Sequence, residues 1–174
     1  MSTADAALTT PADKGAPADS IAGFLGADHQ RIEKIWLELQ SAFQRHDFNA
    51  MHNRAGEFIA AMRRHLRMEE QILFPAIEDK TEMRTSGPTY AMRMEHREIE
   101  RVLAGFAPLL TVQERWTAIQ AMEGELTDPS ALFRSHDAKE EMVLYPMADQ
   151  LLGTDAARKL VEKMRTEVDS PSSH

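Results

Sequence analysis

The sequence predicts an all-α protein: an up-down four-helix bundle with an internal pseudo-twofold duplication and a short C-terminal helix. Three observations lead to this prediction. Apolar residues recur at intervals of three and four along most of the chain, glycine and proline are scarce inside the long segments, and one ordered pair of motifs occurs twice. No segment shows the apolar–polar alternation that is typical of a strand. The 174 residues are enough for one domain with an apolar core.

The first half of the chain predicts two helices joined by a short turn. The first helix is predicted to begin after Asp19 or Ser20, because either residue is a good N-cap. A polar stretch at residues 45–49 predicts the turn, and the second helix is predicted to end near Pro75. The apolar stripes of these helices are Ile21, Leu25, Ile32, Trp36 and Phe43, followed by Phe58, Met62 and Ile72.

The second half predicts a similar pair of long helices. A loop at residues 82–88 precedes the third helix, and Pro88 suits its first turn. Residues 127–129 predict either a kink in one long helix or a new helix capped by Asp128, and the last long helix is predicted to end near Pro146. The apolar stripes are Met92, Ile99, Leu103 and Phe106, then Trp116 and Ile119, then Leu132, Phe133, Val143 and Leu144, and in the short final helix Leu160, Val161 and Met164.

Both ends of the chain are predicted to lie outside the bundle. Residues 1–19 are rich in Ala, Thr, Asp and Pro and predict a disordered tail, the bundle spans residues 20–167, and residues 168–174 predict a second tail. The N-terminal segment lacks the basic and apolar regions of a signal peptide, and no apolar run approaches the roughly 20 residues that cross a bilayer. We therefore expect a cytoplasmic protein.

The composition excludes several kinds of chemistry and of partner. The absence of cysteine removes disulfides, thiolate-bound zinc, iron–sulfur clusters and thiol catalysis. The formal net charge of −8 predicts that the protein binds neither nucleic acid nor an anionic membrane surface. Carboxylates do attract and ligate cations, however, so the acidity leaves metal binding open.

Four of the seven histidines lie on the apolar stripes: His29, His65, His96 and His136. Two of them are followed one turn later by a glutamate, Glu69 or Glu140. Residues four apart share one face of a helix, so each His–Glu pair can reach the same point. A lone histidine on such a face is usually an ordinary core residue, but burying this many unpaired titratable groups would cost much free energy. A shared metal ion offsets that cost because it turns each group into a ligand.

An internal duplication makes the prediction of a metal site specific. The chain reads DHQRIEKI around His29 and EHREIERV around His96, and it reads HLRMEEQILFP from His65 and HDAKEEMVLYP from His136. This order predicts two helical hairpins that offer near-symmetric ligands to two metal ions, with each glutamate able to bridge. Bundle di-iron sites are built in this way. Imidazole and carboxylate without thiolate favour iron or manganese, with zinc as a further candidate.

The order His, His-x-x-x-Glu, His, His-x-x-x-Glu resembles the hemerythrin-like family, whose cation-binding domain carries it, over roughly residues 20–150. The resemblance implies two iron ions with an oxo or hydroxo bridge. It implies His29, His65, His96 and His136 as terminal ligands and Glu69 and Glu140 as bridging carboxylates.

Two positions depart from the hemerythrin pattern. True hemerythrins place the last carboxylate five residues after its histidine, which here is Glu141; we favour Glu140, because it mirrors Glu69, and keep Glu141 as the alternative. They also carry a further histidine where this chain has Glu100, and we include Glu100 among the predicted ligands, with an orienting role as the alternative.

The neighbouring residues have plainer interpretations. Asp28 and Glu95 precede their histidines and are predicted to be solvated or to orient an imidazole, and Glu70 and Glu141 are predicted to be exposed. Tyr145 is predicted to be a packing residue, because its match in the first half, Phe74, has no hydroxyl.

Four histidines and two bridging glutamates leave at least one iron with an open position. The predicted function is therefore a di-iron protein that binds O2, NO or peroxide in a redox or sensing role. The alternatives are an enzyme that consumes peroxide or NO, a reversible O2-binding module, a regulator that acts through a protein partner, and a metal-free helical interaction protein. A carboxylate at Glu100 would disfavour reversible oxygen release, because negative charge stabilises ferric iron.

Overall fold

The computed structural model describes residues 15–111 and 129–169, and these residues form a helical bundle with no strand among them. The predicted helix with Trp116 and Ile119, and the predicted cap Asp128, lie outside the described residues, so the up-down order of four helices stays a prediction. The elements are α1 (Ile21–Gln44), α2 (Phe48–Met68), a π-helical turn (Glu69–Leu73), α3 (Phe74–Thr81), α4 (Gly87–Gly105), a 3₁₀ turn (Ala107–Leu110), α5 (Ser130–Lys139), a second π-helical turn (Glu140–Leu144), α6 (Tyr145–Leu152) and α7 (Thr154–Asp169).

The helix starts follow the capping signals in the sequence. Ser20 caps α1, and its hydroxyl accepts a hydrogen bond from the Gly23 N–H at 3.0 Å. Asp149 of α6 adds a second cap, because its carboxylate accepts from the backbone N–H groups of Ile21 and Ala22 at 2.9 and 3.0 Å. The start of α4 at Gly87, with Pro88 in its first turn, also confirms the prediction.

The prediction that the long helices end at their prolines is wrong. Each helix continues through a π-helical turn, in which the N–H of Phe74 bonds to the carbonyl of Glu69 and that of Tyr145 to the carbonyl of Glu140. Pro75 is the second residue after the first of these wide turns, and Pro146 is the second residue after the other. Proline normally breaks a helix because it cannot donate and its ring crowds the carbonyl four residues earlier. In a π-helical turn each N–H bonds to the carbonyl five residues earlier, so the regular pattern of hydrogen bonds to the fourth residue is already interrupted before the proline. The helix therefore continues past it.

The wide turns also shift which residues face the core. Leu144, four residues after Glu140, is 2% exposed, whereas Val143 is 60% exposed and does not belong to the core stripe as predicted. The short final helix is confirmed: α7 buries Val161 and Met164 against the rest of the bundle. The end of the predicted N-terminal tail contacts this helix, since Arg165 donates to the carbonyl of Ala18 at 3.3 Å.

The core consists of two apolar clusters with a polar layer between them. On α1, Leu25 belongs to one cluster and Ile32 to the other, and His29 lies between them. On α4, Met92 and Ile99 flank His96 in the same way. The polar layer is thus held in place by packing above and below it.

No helix within the two described ranges is both long enough and apolar enough to cross a lipid bilayer.

Candidate metal centre

Six of the predicted ligands meet in the polar layer at the middle of the bundle. They are His29, His65, Glu69, His96, His136 and Glu140, and each is at most 5% exposed. The two glutamates open the two π-helical turns, and each follows its histidine by one turn of the preceding helix. The spacing of four therefore acts as the sequence predicts, because His and Glu of each pair lie on one face.

The six residues form two groups that share one carboxylate. The His96 group comprises His96, His136, Glu69 and Glu140, and the His29 group comprises His29, His65 and Glu140; within each group one ligand atom per residue lies within 4.8 Å of the others. Oε1 of Glu140 lies 3.4 Å from Nε2 of His136, and Oε2 lies 3.3 Å from Nε2 of His29. Glu140 thus presents one oxygen to each group, which is the arrangement of a bridging carboxylate. Its neighbour Glu141 is 47% exposed and belongs to neither group.

Glu69 also lies between the two groups. Its Oε2 atom is 3.3 Å from Nε2 of His96 and 3.6 Å from Nε2 of His65. In the His29 group, the Nε2 atoms of His29 and His65 are 3.0 Å apart. Two imidazole nitrogens that share a metal at about 2.1 Å each are separated by roughly this distance.

Buried polar atoms without hydrogen-bond partners mark the centre of the His96 group. Within the described residues these atoms are Glu69 Oε2, His96 Nε2, His136 Nε2 and Glu140 Oε1, with Arg64 Nε as a fifth that lies outside the group. Leaving a polar atom buried without a partner costs about 1–3 kcal/mol. One cation among the four converging atoms would satisfy all of them, so the residues fit a metal ion.

Each imidazole is held from behind by a carboxylate. The Nδ1 partners are Glu141 for His29 at 2.8 Å, Asp28 for His65 at 3.0 Å, Glu70 for His96 at 2.9 Å and Glu95 for His136 at 3.2 Å. A carboxylate at Nδ1 accepts a hydrogen bond from the proton there, so Nε2 is the nitrogen that faces the centre and can bind a metal ion in place of a proton. Asp28 and Glu95 therefore orient imidazoles, which is one of the two roles predicted for them. Glu70 and Glu141, which were predicted only to be exposed, orient imidazoles as well.

The four outer carboxylates follow the duplication. Asp28 and Glu95 bind a histidine of their own half, whereas Glu70 and Glu141 bind a histidine of the opposite half. Each half thus orients one imidazole of the other. The repeated Glu-Glu pair therefore supplies one carboxylate to the centre and one to a histidine of the other half. Its first residue faces the centre, and its second reaches across to the other hairpin.

Tyr145 belongs to the centre, and its interpretation as a packing residue is corrected. The side chain is fully buried, and its hydroxyl donates to Glu69 Oε1 at 2.7 Å, with Glu140 Oε2 at 2.9 Å as the second acceptor. The hydroxyl oxygen is also 3.2 Å from Nε2 of His29. In the other half, the ring of Phe74 stacks on His96, with 5.4 Å between centroids. The second π-helical turn brings Tyr145, five residues after Glu140, back over that carboxylate, and the sequence pattern gave no sign of this turn.

Glu100 is the one predicted ligand that the structure does not bring to the centre. Its side chain is 44% exposed, and its carboxylate pairs with Nε of Arg63 at 3.1 Å. The inward face of α4 continues from His96 through Ile99 and Leu103, both fully buried, so the fourth residue after His96 falls at the edge of that face. Its predicted role as a ligand has no geometric support.

The centre is strongly anionic, and this favours positive charge on its imidazoles. Burial alone would lower the pKa of His29, but hydrogen bonds to Glu140 and Glu141 outweigh it and raise that pKa to about 10. For His96, burial is likewise outweighed, here by Glu140 and Glu69, and its pKa also rises to about 10. The pKa of Glu140 falls well below its usual range despite burial, because His29 and His96 bind it. Protons on the imidazoles thus supply charge that a metal ion would replace.

Fold and site together define a helical-bundle protein whose buried histidines and glutamates form a cluster that could hold metal ions. The family model of the hemerythrin HHE cation binding domain matches residues 20–148, so the chain belongs to this family, as its motifs predicted. No curated protein and no solved structure matches the chain.

Proposed function

We propose that this chain is a non-haem di-iron protein that binds dioxygen, nitric oxide or peroxide in a redox or sensing role. The observation that carries the proposal is Glu140, which belongs to both ligand groups and presents a different oxygen to each. One carboxylate so placed between two sets of imidazoles suits a pair of ions rather than a single one. Glu69, with His65 on one side and His96 on the other, supports the same stoichiometry.

The donor set favours iron or manganese. Four imidazoles and two carboxylates, with no thiolate, suit iron or manganese better than a soft metal. The negative charge that stabilises ferric iron comes from the outer carboxylates behind the imidazoles, and not from Glu100 as the sequence suggested. This environment supports a redox or sensing role over reversible oxygen carriage.

Bound iron would supply coordination positions for the small ligand and exchange electrons with it. The protein's own residues orient the imidazoles, exclude bulk water and hold a proton near the carboxylates. The outer carboxylates hold a proton on each Nδ1, and the two apolar clusters keep bulk water from either side of the layer. The Tyr145 hydroxyl holds a proton 2.7 Å from Glu69 and aligns both bridging carboxylates.

Metal analysis with ⁵⁷Fe Mössbauer spectroscopy tests the proposal. We expect two iron ions per chain, in the parent protein and in Glu100→Gln, because Glu100 lies outside the centre. Glu140→Gln is the matched variant inside the centre and should lose iron from both groups. Binding of a single ion, or full iron content in Glu140→Gln, would refute a carboxylate-bridged pair.

A second candidate is an enzyme that consumes peroxide, and Tyr145 favours it. Cleavage of a peroxide needs a proton donor inside the site, and this hydroxyl lies between the bridging carboxylates. Turnover of hydrogen peroxide that falls in Tyr145→Phe would support the enzyme. Optical bands that disappear under dithionite and return with oxygen, without turnover, would support an oxygen-binding module. A cytoplasmic location and the absence of nucleic-acid partners stay predictions.

A further inference from the structure

The duplicated motifs differ at the position directly after the second histidine of each half. HLRMEE places Leu66 after His65, whereas HDAKEE places Asp137 after His136. Leu66 is 5% exposed and packs in an apolar cluster, as a core residue should. A carboxylate at the matching position of the second half therefore calls for a different explanation.

Asp137 approaches the centre from the side of His29. Its Oδ1 atom lies 3.6 Å from Nε2 of His29, and its side chain is 28% exposed. The carboxylates that only orient an imidazole all bind Nδ1, and on His29 that nitrogen is taken by Glu141. Asp137 faces the other nitrogen, the one that is directed at the metal position.

The distance matches those between residues of the ligand groups. Glu140 lies 3.3 Å from Nε2 of His29 and 3.7 Å from Nε2 of His96. The separation of 3.6 Å between Asp137 and His29 falls inside this range. Asp137 thus has the spacing of a co-ligand to His29, although it lies outside the set of residues whose ligand atoms are all within 4.8 Å of one another.

The two groups are also unequal in their number of donors. The His96 group contains four residues and the His29 group three, with Glu140 counted in both. We propose that Asp137 is a further ligand of the metal ion in the His29 group, which then has two imidazoles, the shared glutamate and one aspartate. This inference rests on the proposed two-metal centre. The added oxygen gives this position the same donors as the His96 group, two imidazoles and two carboxylates, a set suited to a cation such as iron or manganese.

Two variants of Asp137 test the inference. Asp137→Asn keeps the shape of the side chain and removes its negative charge. Asp137→Leu introduces the residue that the first half has at the matching position, Leu66. Anaerobic Fe²⁺ titration should show that one of the two binding steps weakens at least about tenfold in both variants. In ⁵⁷Fe Mössbauer spectra, one quadrupole doublet should change while the other stays as in the parent. Glu100→Gln, which removes one charge outside the centre, should leave both steps and both doublets unchanged.

The outcomes separate this inference from the proposed function. Circular dichroism of the metal-free proteins checks that the nearly isosteric Asn variant retains the fold. A parent protein that binds two ions, together with variants that bind them equally tightly and with unchanged spectra, overturns the role of Asp137 alone. A parent protein that binds fewer than two ions overturns the two-metal centre itself.

Discussion

Replacing Tyr145 with phenylalanine isolates the contribution of one hydroxyl group at the centre. The ring is retained, so no cavity forms, and the residue becomes identical to its match, Phe74. The lost interaction is a hydrogen bond to a charged carboxylate at 2.7 Å in a fully buried position. Hydrogen bonds to charged groups contribute about 1.5–3 kcal/mol. For a chain of this length, each kcal/mol shifts the melting temperature by about 2–4 °C, so we expect a fall of roughly 3–12 °C.

Thermal unfolding by circular dichroism, with and without iron, measures this effect. The matched control is Tyr90→Phe, because Tyr90 is the other tyrosine of the chain and is 45% exposed on α4. The control should melt within about 1 °C of the parent, since surface substitutions change stability little. Iron affinity should also fall in Tyr145→Phe, because Glu69 and Glu140 lose their common donor. Equal melting temperatures and equal iron affinities in the two variants would show that the hydroxyl does not organise the centre.

Three further predictions concern the ligands and their protons. His65→Ala should lower iron content and melting temperature together, because the metal binds the folded state alone; full occupancy and unchanged melting would contradict this. Glu140→Gln should lose iron as measured by mass spectrometry, whereas Glu100→Gln should retain it. In the metal-free protein, the pKa values of His29 and His96 rise from 6.5 to about 10 on folding. They therefore contribute stability that is full below about pH 6.5 and is lost as the pH rises toward 10. Urea denaturation from pH 6 to 10 should show this decline without metal, and a flat profile would refute it.

The sequence predicted an all-helical bundle and the burial of six candidate ligands at its centre, because both follow from helical periodicity. His29, His65, His96 and His136 fall on apolar stripes, and a residue on such a stripe faces the core whatever the neighbouring helices do. The duplication added the second constraint, because two equal motifs predict two equal hairpins. The prediction for Glu100 failed for a related reason. A residue four positions after His96 can lie either on the buried face of α4 or at its edge, and here Ile99 and Leu103 occupy the buried face.

Features that depend on tertiary packing were not predictable. A π-helical turn leaves no clear trace in the pattern, so neither the continuation past Pro75 nor the approach of Tyr145 to Glu140 was foreseen. The partners of Glu70 and Glu141 lie on the opposite hairpin, and sequence spacing does not reveal which helix faces which. The similarity between the halves also led to a wrong prediction for Tyr145. Because Tyr145 matches Phe74, it was interpreted as a packing residue, and the role of its hydroxyl group was overlooked.

The carboxylates that cross between the hairpins bear on how the two halves of the chain depend on each other. Neither hairpin holds a complete set of oriented imidazoles, because His29 relies on Glu141 and His96 on Glu70. Two fragments cut between α3 and α4 should therefore bind iron weakly when separate and tightly when mixed. Metal binding would then drive their reassembly, so the iron content of a mixture would measure how much of the protein has both of its halves together.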